Sequence, residues 1–487
     1  MSRDTVVFVS AGMLRPKKHD NAVARLHLYL NYGLLSLASV VDRSGLTACV
    51  HHGRFSSPYD FVMSLAKGGV LETQFSLFLS LPSTYAIPWA QEFCRLAKLL
   101  YPCLKIIVGG RWVIGSEASW ISQKLPQASL FVYGTAEDRV LELLNYENWP
   151  RIHSTSRSFS LLPEPPLLSL PDLNYLVMPD FREFQPSLEL SRGCGLGCSF
   201  CLEKASPLGT MRTPQHTVEA LGLYTAVYGT PYIHPYFESS YFRPTMSWSR
   251  EFRDLYKNEG LGIQWRCETR VDGLSPEILS NLAQTGLKVV DLGLESASAT
   301  QLLRMRKTSK PTVYLQRAST FLRECKSLGI WAKVNVLLYA GETFDTLKET
   351  IDWLESHREC IKGVSVNPLT VYGHDVSAKQ FLDEVSQWGA RPVDSIAWMA
   401  TGLTQLHLSD VIDYDMSMEL CRLISKQFMS DRDYYDLKSF SYFPRSMSYA
   451  KFRELIEKVS HSDWPFTVRG QNLEAHSDRH TGFAWRR

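Results

Sequence analysis

Short β-rich runs alternate with helical patterns in two long stretches of this chain, and no other feature constrains the fold as strongly. In the first stretch, the β-rich runs are residues 5–10, 46–50, 74–80, 104–108 and 130–133. Strands that are joined through helices pair in parallel, because each helix returns the chain to the end of the sheet where the previous strand began. The pattern therefore predicts an α/β domain in residues 1–150, built on a doubly wound, Rossmann-like parallel sheet.

A second alternation starts near residue 187. It contains six strand–helix units, with strands expected near residues 187–191, 232–237, 263–268, 288–292, 331–338 and 363–369. Eight such units close a complete barrel, so six predict a partial, TIM-like (β/α)6 barrel. We assign it to residues 186–375 and expect its functional groups at the carboxyl ends of the strands.

A proline-rich segment separates the two alternations. Residues 162–172 carry four prolines, a composition typical of a stiff, extended connection. We therefore place a linker in residues 151–185.

The last region of the chain, residues 376–487, is mainly helical in outline. Its aromatic side chains, among them Tyr434, Tyr435, Phe440 and Phe443, are expected to pack in a core, with the shaping of a substrate pocket as the other possibility. The polar tail, residues 477–487, is expected to be disordered.

Composition indicates a globular protein of two or three domains. The 487 residues exceed what one hydrophobic core normally organises, and the formal net charge of +2 gives no general basic surface for nucleic acid. The amino terminus lacks the pattern of a secretory signal, and no apolar stretch is long enough to span a bilayer. We expect a protein of the reducing cytoplasm without a membrane partner.

Three cysteines, Cys194, Cys198 and Cys201, lie within eight residues just after the first strand of the second alternation, interspersed with glycines. A cubane of four irons has four ligand positions, so three thiolates leave one iron open to a small molecule. Zinc is the rival, and it would make the chain a zinc-stabilised binding module, but no second ligand pair follows in the sequence. The other seven cysteines are scattered as single thiols, which is typical of core packing.

The spacing Cys-x3-Cys-x2-Cys, with Phe200 before the last cysteine, resembles the signature of the radical S-adenosylmethionine (radical SAM) superfamily. The resemblance implies a [4Fe–4S] cluster whose fourth iron binds SAM. It also implies one-electron cleavage of SAM to a 5′-deoxyadenosyl radical, with an external electron donor such as a flavodoxin or ferredoxin.

Polar residues at the ends of the second group of strands match the family's SAM-binding positions. By resemblance, Glu238 faces the SAM amine, Arg270 lies near its carboxylate, Glu295 receives the ribose hydroxyls, and the backbone at Phe200 contacts adenine. Relatives often carry two adjacent aspartates where this chain has Glu238 followed by serine. The alternative is a structural rim network in which Arg270 pairs with Glu268 or Glu295.

The first alternation resembles the cobalamin-binding domain that precedes many radical SAM domains. The segments that carry this resemblance are residues 32–38, 107–110 and 132–137. The resemblance implies a cobalamin held by loops at the carboxyl ends of the strands, and the candidate contacts are Ser83, Gly109, Gly110, Gly134 and Glu137. The Asp-x-His-x-x-Gly motif that supplies an axial histidine in other cobalamin proteins is absent, and the nearest candidate, His19 followed by Asp20, has the reverse order.

These resemblances imply a cobalamin-dependent radical SAM C-methyltransferase. Its substrate would be a peptide or natural-product intermediate, or another small molecule, with an unactivated carbon. One alternative is a radical SAM enzyme that catalyses cyclisation, epimerisation or rearrangement without methyl transfer. A methylthiotransferase is disfavoured, because Cys49, Cys94 and Cys103 do not form the cysteine set of a second cluster. No side chain is assigned a catalytic role.

Overall fold

The computed structural model of the chain describes residues 3–17, 22–113, 118–145, 154–155, 158–160, 170–204, 206–373, 375–393, 402–459 and 464–468. His19, Asp20, three of the four linker prolines and the tail 477–487 lie outside the described residues.

The first domain is built on the predicted parallel sheet, in the order β2-β1-β3-β4-β5-β7-β6. Its strands are β1 (Thr5–Ser10), β2 (Thr47–His52), β3 (Leu77–Ser80), β4 (Ile106–Gly109), β5 (Leu130–Tyr133), β6 (Ser154–Thr155) and β7 (Ser158–Ser160). All five predicted strands are confirmed. The sequence did not predict the last two strands, of which β6 is antiparallel to β7.

Helices cover both faces of this sheet. They are α1 (Tyr32–Arg43), α2 (Pro58–Lys67), α3 (Ile87–Leu100) and α4 (Ala118–Lys124). The Ser57 hydroxyl caps α2 by accepting from the Asp60 backbone N–H at 3.1 Å. The apolar residues of β1 are buried, as expected for a strand that is covered on both faces.

The second domain is a six-stranded, fully parallel sheet in the order β13-β12-β11-β10-β9-β8. Its strands are β8 (Ser187–Glu189), β9 (Tyr236–Glu238), β10 (Trp265–Arg270), β11 (Leu287–Glu295), β12 (Trp331–Leu338) and β13 (Ile361–Pro368). Its helices are α5 (Pro214–Tyr228), α6 (Met246–Asn258), α7 (Pro276–Ala283), α8 (Ala299–Arg304), α9 (Pro311–Ser327) and α10 (Phe344–Ser356). The predicted partial barrel is confirmed.

Successive residues of the barrel strands alternate between an apolar outer face and a polar lumen. In β10, Cys267 and Thr269 are buried beneath the helices, whereas Arg266, Glu268 and Arg270 share the other face. The lumen therefore carries charged groups, where many barrels carry aliphatic side chains.

The C-terminal region adds helices and a small antiparallel sheet. The helices are α11 (Val376–Ser386), α12 (Tyr414–Gln427), α13 (Asp431–Ser439) and α14 (Tyr449–Lys458), and the strands are β14 (Thr370–Tyr372), β15 (Arg391–Pro392) and β16 (Leu403–His407). Tyr434, Phe440 and Phe443 are buried in one cluster with Val289 and Trp331, which lie near the starts of β11 and β12. The expected core role of these aromatics is confirmed, and the cluster covers the amino end of the barrel.

Among the described residues, no helix combines the length and the apolar character needed to cross a membrane.

Candidate active site between the two domains

The loop that carries the three cysteines follows β8 and is shaped by glycine. Gly193 has φ +75°, and a Cβ atom at this position would lie 2.1 Å from the Pro207 carbonyl oxygen. The Cys194 N–H donates to the Ser206 carbonyl at 2.9 Å, so the loop packs against the segment that returns from it. A side chain at residue 193 would disrupt this approach.

The three thiols are free and differ in accessibility. Cys198 is buried, while Cys194 and Cys201 are half-buried. Burial raises the pKa of the Cys201 thiol, and the neighbouring Cys198 and Cys194 add to the shift, so the three sulfurs lie within electrostatic range of one another. In the described part of the chain, no three His, Cys, Asp or Glu side chains are grouped around one ion. A [4Fe–4S] cubane is several ångströms across, so its protein ligands need not converge on a single ion. The three cysteine thiolates fit three of its four ligand positions.

Arg270 lies directly beside this loop. Its Nη1 donates to the Cys198 Sγ at 3.4 Å. Its other contacts are with Asp272, from Nε at 2.9 Å and from Nη2 at 3.2 Å, and with the Lys307 carbonyl at 2.8 Å. The alternative partners, Glu268 and Glu295, are not among these contacts, and the sequence reasoning did not identify Asp272.

Glu238 ends β9 and lines the lumen. Its Oε1 accepts from the Ser187 hydroxyl at 2.8 Å. Burial raises the pKa of Glu238 to about 7, and the carboxylates of Glu268 and Glu189 add to the shift against the hydrogen bond from Ser187. A cationic ligand placed here would restore the carboxylate form.

Glu295 ends β11 in a strained conformation. Its φ is +68°, and the register between β11 and β12 shifts at this point. Backbone strain and strand irregularities are frequent at ligand sites, where they aim a side chain. The Glu295 Oε1 accepts from the Lys307 Nζ at 3.0 Å, and a Cβ at Gly293 would lie 2.9 Å from the same oxygen.

A charged cluster deeper in the lumen was not identified from the sequence. Asp291 binds Arg266, and it accepts from the Lys333 Nζ at 2.7 Å. Burial lowers the pKa of Lys333 to about 8. The exposed side chain of Glu268 faces the open lumen and accepts from the Tyr236 hydroxyl at 3.3 Å. Desolvation by the surrounding barrel raises the pKa of Glu268. The period-two spacing of Arg266, Glu268 and Arg270 was the signal for this face.

Phe200 lies in the cysteine loop. Its ring centroid is 6.4 Å from that of Tyr339, whose hydroxyl is 2.8 Å from the Ser199 hydroxyl.

The proposed cobalamin contacts lie in loops at the carboxyl edge of the first sheet. Ser83 caps a short helical turn by accepting from the Tyr85 N–H at 3.3 Å. Gly110 and Gly134 have φ +102° and +84° and are exposed, and Gly109 is half-exposed. The neighbouring Thr84 hydroxyl is buried and has no hydrogen-bond partner among the described residues. Accessible glycines allow the backbone to approach a bound ligand closely, and an unpaired hydroxyl can form a hydrogen bond with it. These features fit a ligand-binding edge.

Glu137 connects this edge to the cysteine loop. The Arg192 Nη2 donates to the Glu137 Oε1 at 2.5 Å, and the same guanidinium binds both carboxylate oxygens of Glu189 at 2.7 and 2.8 Å. A second contact joins the domains, from the Arg111 Nη2 to the Glu203 Oε1 at 2.6 Å. The carboxyl edge of the first sheet therefore faces the cysteine loop.

Tyr32, at the start of α1, lies in the same cleft. Burial raises the pKa of its hydroxyl, and Glu238 and Glu189 in the barrel add to the shift.

Comparison with known proteins agrees with this architecture. Residues 188–354 match the family model described as the Radical SAM superfamily. No curated protein matches the chain.

Among the similar solved structures are two whose folds match most of this chain. One is the radical S-adenosylmethionine methyltransferase TsrM from Kitasatospora setae with cobalamin and a [4Fe–4S] cluster bound. The two sequences are 15% identical, and the match covers 95% of this chain and 93% of the TsrM chain with a TM-score of 0.58. The other is the cobalamin-dependent S-adenosylmethionine radical enzyme OxsB with aqua-cobalamin and S-adenosylmethionine bound, at 14% identity and a TM-score of 0.62. It covers 89% of this chain, which spans 66% of OxsB.

Proposed function

We propose that this chain, whose residues 188–354 match the Radical SAM superfamily model, is a cobalamin-dependent C-methyltransferase. The observation that carries the proposal is the contact of Arg192 with both Glu137 and Glu189. It joins the carboxyl edge of the first sheet to the mouth of the barrel. Transfer of a methyl group between two cofactors and one substrate requires that all three share a single cleft.

Different residues of the cleft would bind the different cofactors. Cys194, Cys198 and Cys201 would hold a [4Fe–4S] cluster with one iron left for SAM. A bound cluster would supply the electron for homolytic cleavage of SAM, and bound methylcobalamin would supply the methyl group. The loops at Ser83, Gly109, Gly110, Gly134 and Glu137 are the proposed cobalamin contacts.

Two carboxylates would orient SAM. Glu238 would accept from the SAM ammonium, since its raised pKa marks a site where a cation is favourable. Glu295 would accept from the ribose hydroxyls through its second oxygen, since Lys307 contacts the first. Lys307 would hold the Glu295 carboxylate in place.

The substrate would lie in the lumen below these groups. The open carboxylate of Glu268 and the ammonium of Lys333 offer opposite charges there. We propose a polar peptide segment or natural-product intermediate that presents an unactivated carbon to the mouth of the barrel. An external flavodoxin or ferredoxin is the proposed electron source.

The test is an anaerobic reaction of the reconstituted protein with SAM and a reductant. We expect bound corrinoid, and formation of both 5′-deoxyadenosine and S-adenosylhomocysteine. Zinc near one equivalent without iron or sulfide would contradict the proposal. The matched control is the Cys198→Ala variant prepared in the same way.

A second candidate is radical chemistry without methyl transfer. The similarity to OxsB, a cobalamin-dependent S-adenosylmethionine radical enzyme, favours it. Formation of 5′-deoxyadenosine without S-adenosylhomocysteine, in protein that contains corrinoid, would support this candidate over the first.

A further inference from the structure

We propose that Arg270 is a positioning residue that acts on the cluster through Cys198 and favours its reduced state. This inference rests on the proposed function, because it assumes a [4Fe–4S] cluster on Cys198. It gives Arg270 a role other than binding the SAM carboxylate.

The contact is buried and direct. The Arg270 Nη1 lies 3.4 Å from the Cys198 Sγ, and Cys198, at 7% exposure, is the most buried of the three cysteines. The Arg270 side chain is itself only 11% exposed. Charge interactions are strongest where water is excluded, so this cation acts on the sulfur with little screening.

The hydrogen-bonding capacity of Arg270 is almost fully used. A guanidinium has five N–H donors. Two of them bind Asp272, one binds the Lys307 carbonyl and one binds the Cys198 Sγ. A two-pronged contact with a ligand carboxylate would require Arg270 to leave Asp272 or Cys198.

Asp272 fixes the orientation of the guanidinium. Its two oxygens bind Nε and Nη2, which directs Nη1 towards the cysteine loop. The ring of Tyr314 lies 5.8 Å from the guanidinium carbon, and the Tyr314 hydroxyl donates to the Gly293 carbonyl at 2.9 Å. The cation is therefore held against Cys198 by Asp272 in the turn after β10, by the Lys307 carbonyl and by the ring of Tyr314 in α9.

A fixed cation beside a ligand sulfur stabilises the state of the cluster that carries more negative charge. Reduction adds one electron, and net charge and hydrogen bonds to the sulfurs are known determinants of cluster potential. Arg270 should therefore raise the reduction potential and make it easier for the external donor to reduce the cluster, the step that precedes SAM cleavage.

The experiment is a redox titration of the reconstituted protein without SAM. The reduced cluster is monitored by electron paramagnetic resonance. In R270M we expect the reduction equilibrium to shift at least tenfold towards the oxidised form, a fall of 59 mV for one electron. R270K, which keeps the charge, should retain most of the wild-type potential. The control is R306M, because the Arg306 side chain is exposed and pairs with Glu384 rather than with a cysteine sulfur.

Iron content and circular dichroism are measured on each variant. Should R270M lose its iron, R270Q replaces it as the neutral variant. The proposal is overturned if the neutral variant loads iron normally and its reduction equilibrium stays within twofold of wild type. It is also overturned if SAM binding to that variant, measured by equilibrium dialysis, falls tenfold while the potential is unchanged. A wild-type protein that takes up no iron–sulfur cluster would instead refute the proposed function.

Discussion

Arg192, in the cysteine loop, binds Glu137 of the first domain at 2.5 Å. The same guanidinium holds Glu189 at the end of β8, so one cation pairs with two buried carboxylates from different domains. This arrangement fixes the first sheet against the mouth of the barrel.

Replacing Arg192 by methionine should destabilise the protein by about 3 kcal/mol, because two carboxylates with little exposure lose their partner. The measurement is urea unfolding at neutral pH. R111M is the matched control, since it removes the exposed contact of Arg111 with Glu203 across the same interface. That pair should contribute less than about 1 kcal/mol. Equal losses in the two variants would contradict the assigned role of Arg192.

Cys198→Ala should abolish cluster assembly and SAM cleavage, because the cluster would lose one of its three protein ligands. The measurements are iron and sulfide content and the yield of 5′-deoxyadenosine. Cys103→Ala is the control, since Cys103 is exposed and far from the loop in sequence. Retained turnover in the Cys198 variant would refute the metal assignment.

Gly193→Ala should impair cluster uptake at least tenfold, because its Cβ would collide with the Pro207 carbonyl. Gly197→Ala separates this collision from backbone strain. Gly197 has φ +73°, similar to that of Gly193, but a Cβ added at Gly197 would meet no atom within 4 Å. The Gly197 variant should show only the strain of a left-handed residue, roughly 1–2 kcal/mol. Similar iron uptake by both variants would show that the packing against Pro207 is unimportant.

Glu238 should make folding stability depend on pH. Burial raises its pKa from 4.5 to about 7, so the folded protein holds this proton more tightly than the unfolded chain. Stability from this group should therefore fall as pH rises from 4.5 to 7 and stay constant above that range. E238Q should remove this component, and the stability difference between wild type and E238Q should change between pH 5 and 8. The comparison cancels the slope from Glu342, whose pKa is also raised to about 7. Parallel pH profiles for the two proteins would contradict the raised pKa.

Local signals were sufficient for most of the fold. The strands β1 and β5 have the predicted bounds, because each is a short apolar or β-branched run that is buried in the sheet. In β9 the predicted start at residue 232 was too early. Pro235 has no N–H for the sheet, and the His234 N–H donates to the Gln185 side chain instead, so the strand begins at Tyr236.

The partners of the site residues depended on long-range geometry and could not be predicted. Arg270 binds Asp272 because the chain turns back after β10, whereas Glu268, two residues earlier on the same face, points into the lumen. Glu295 pairs with Lys307 from the segment between α8 and α9. The strand β7, which lies in the predicted linker and pairs with β5 in the first sheet, was not predicted either.

The aromatic cluster of the C-terminal region, together with the contacts of Arg266 with Ser441 and the Leu437 carbonyl, covers the amino end of the barrel. Molecules in the lumen would then arrive and depart through the cleft between the domains. In the proposed reaction, the product would have to pass 5′-deoxyadenosine and methionine on its way out. Turnover would then follow an ordered sequence, in which these two fragments leave before the product.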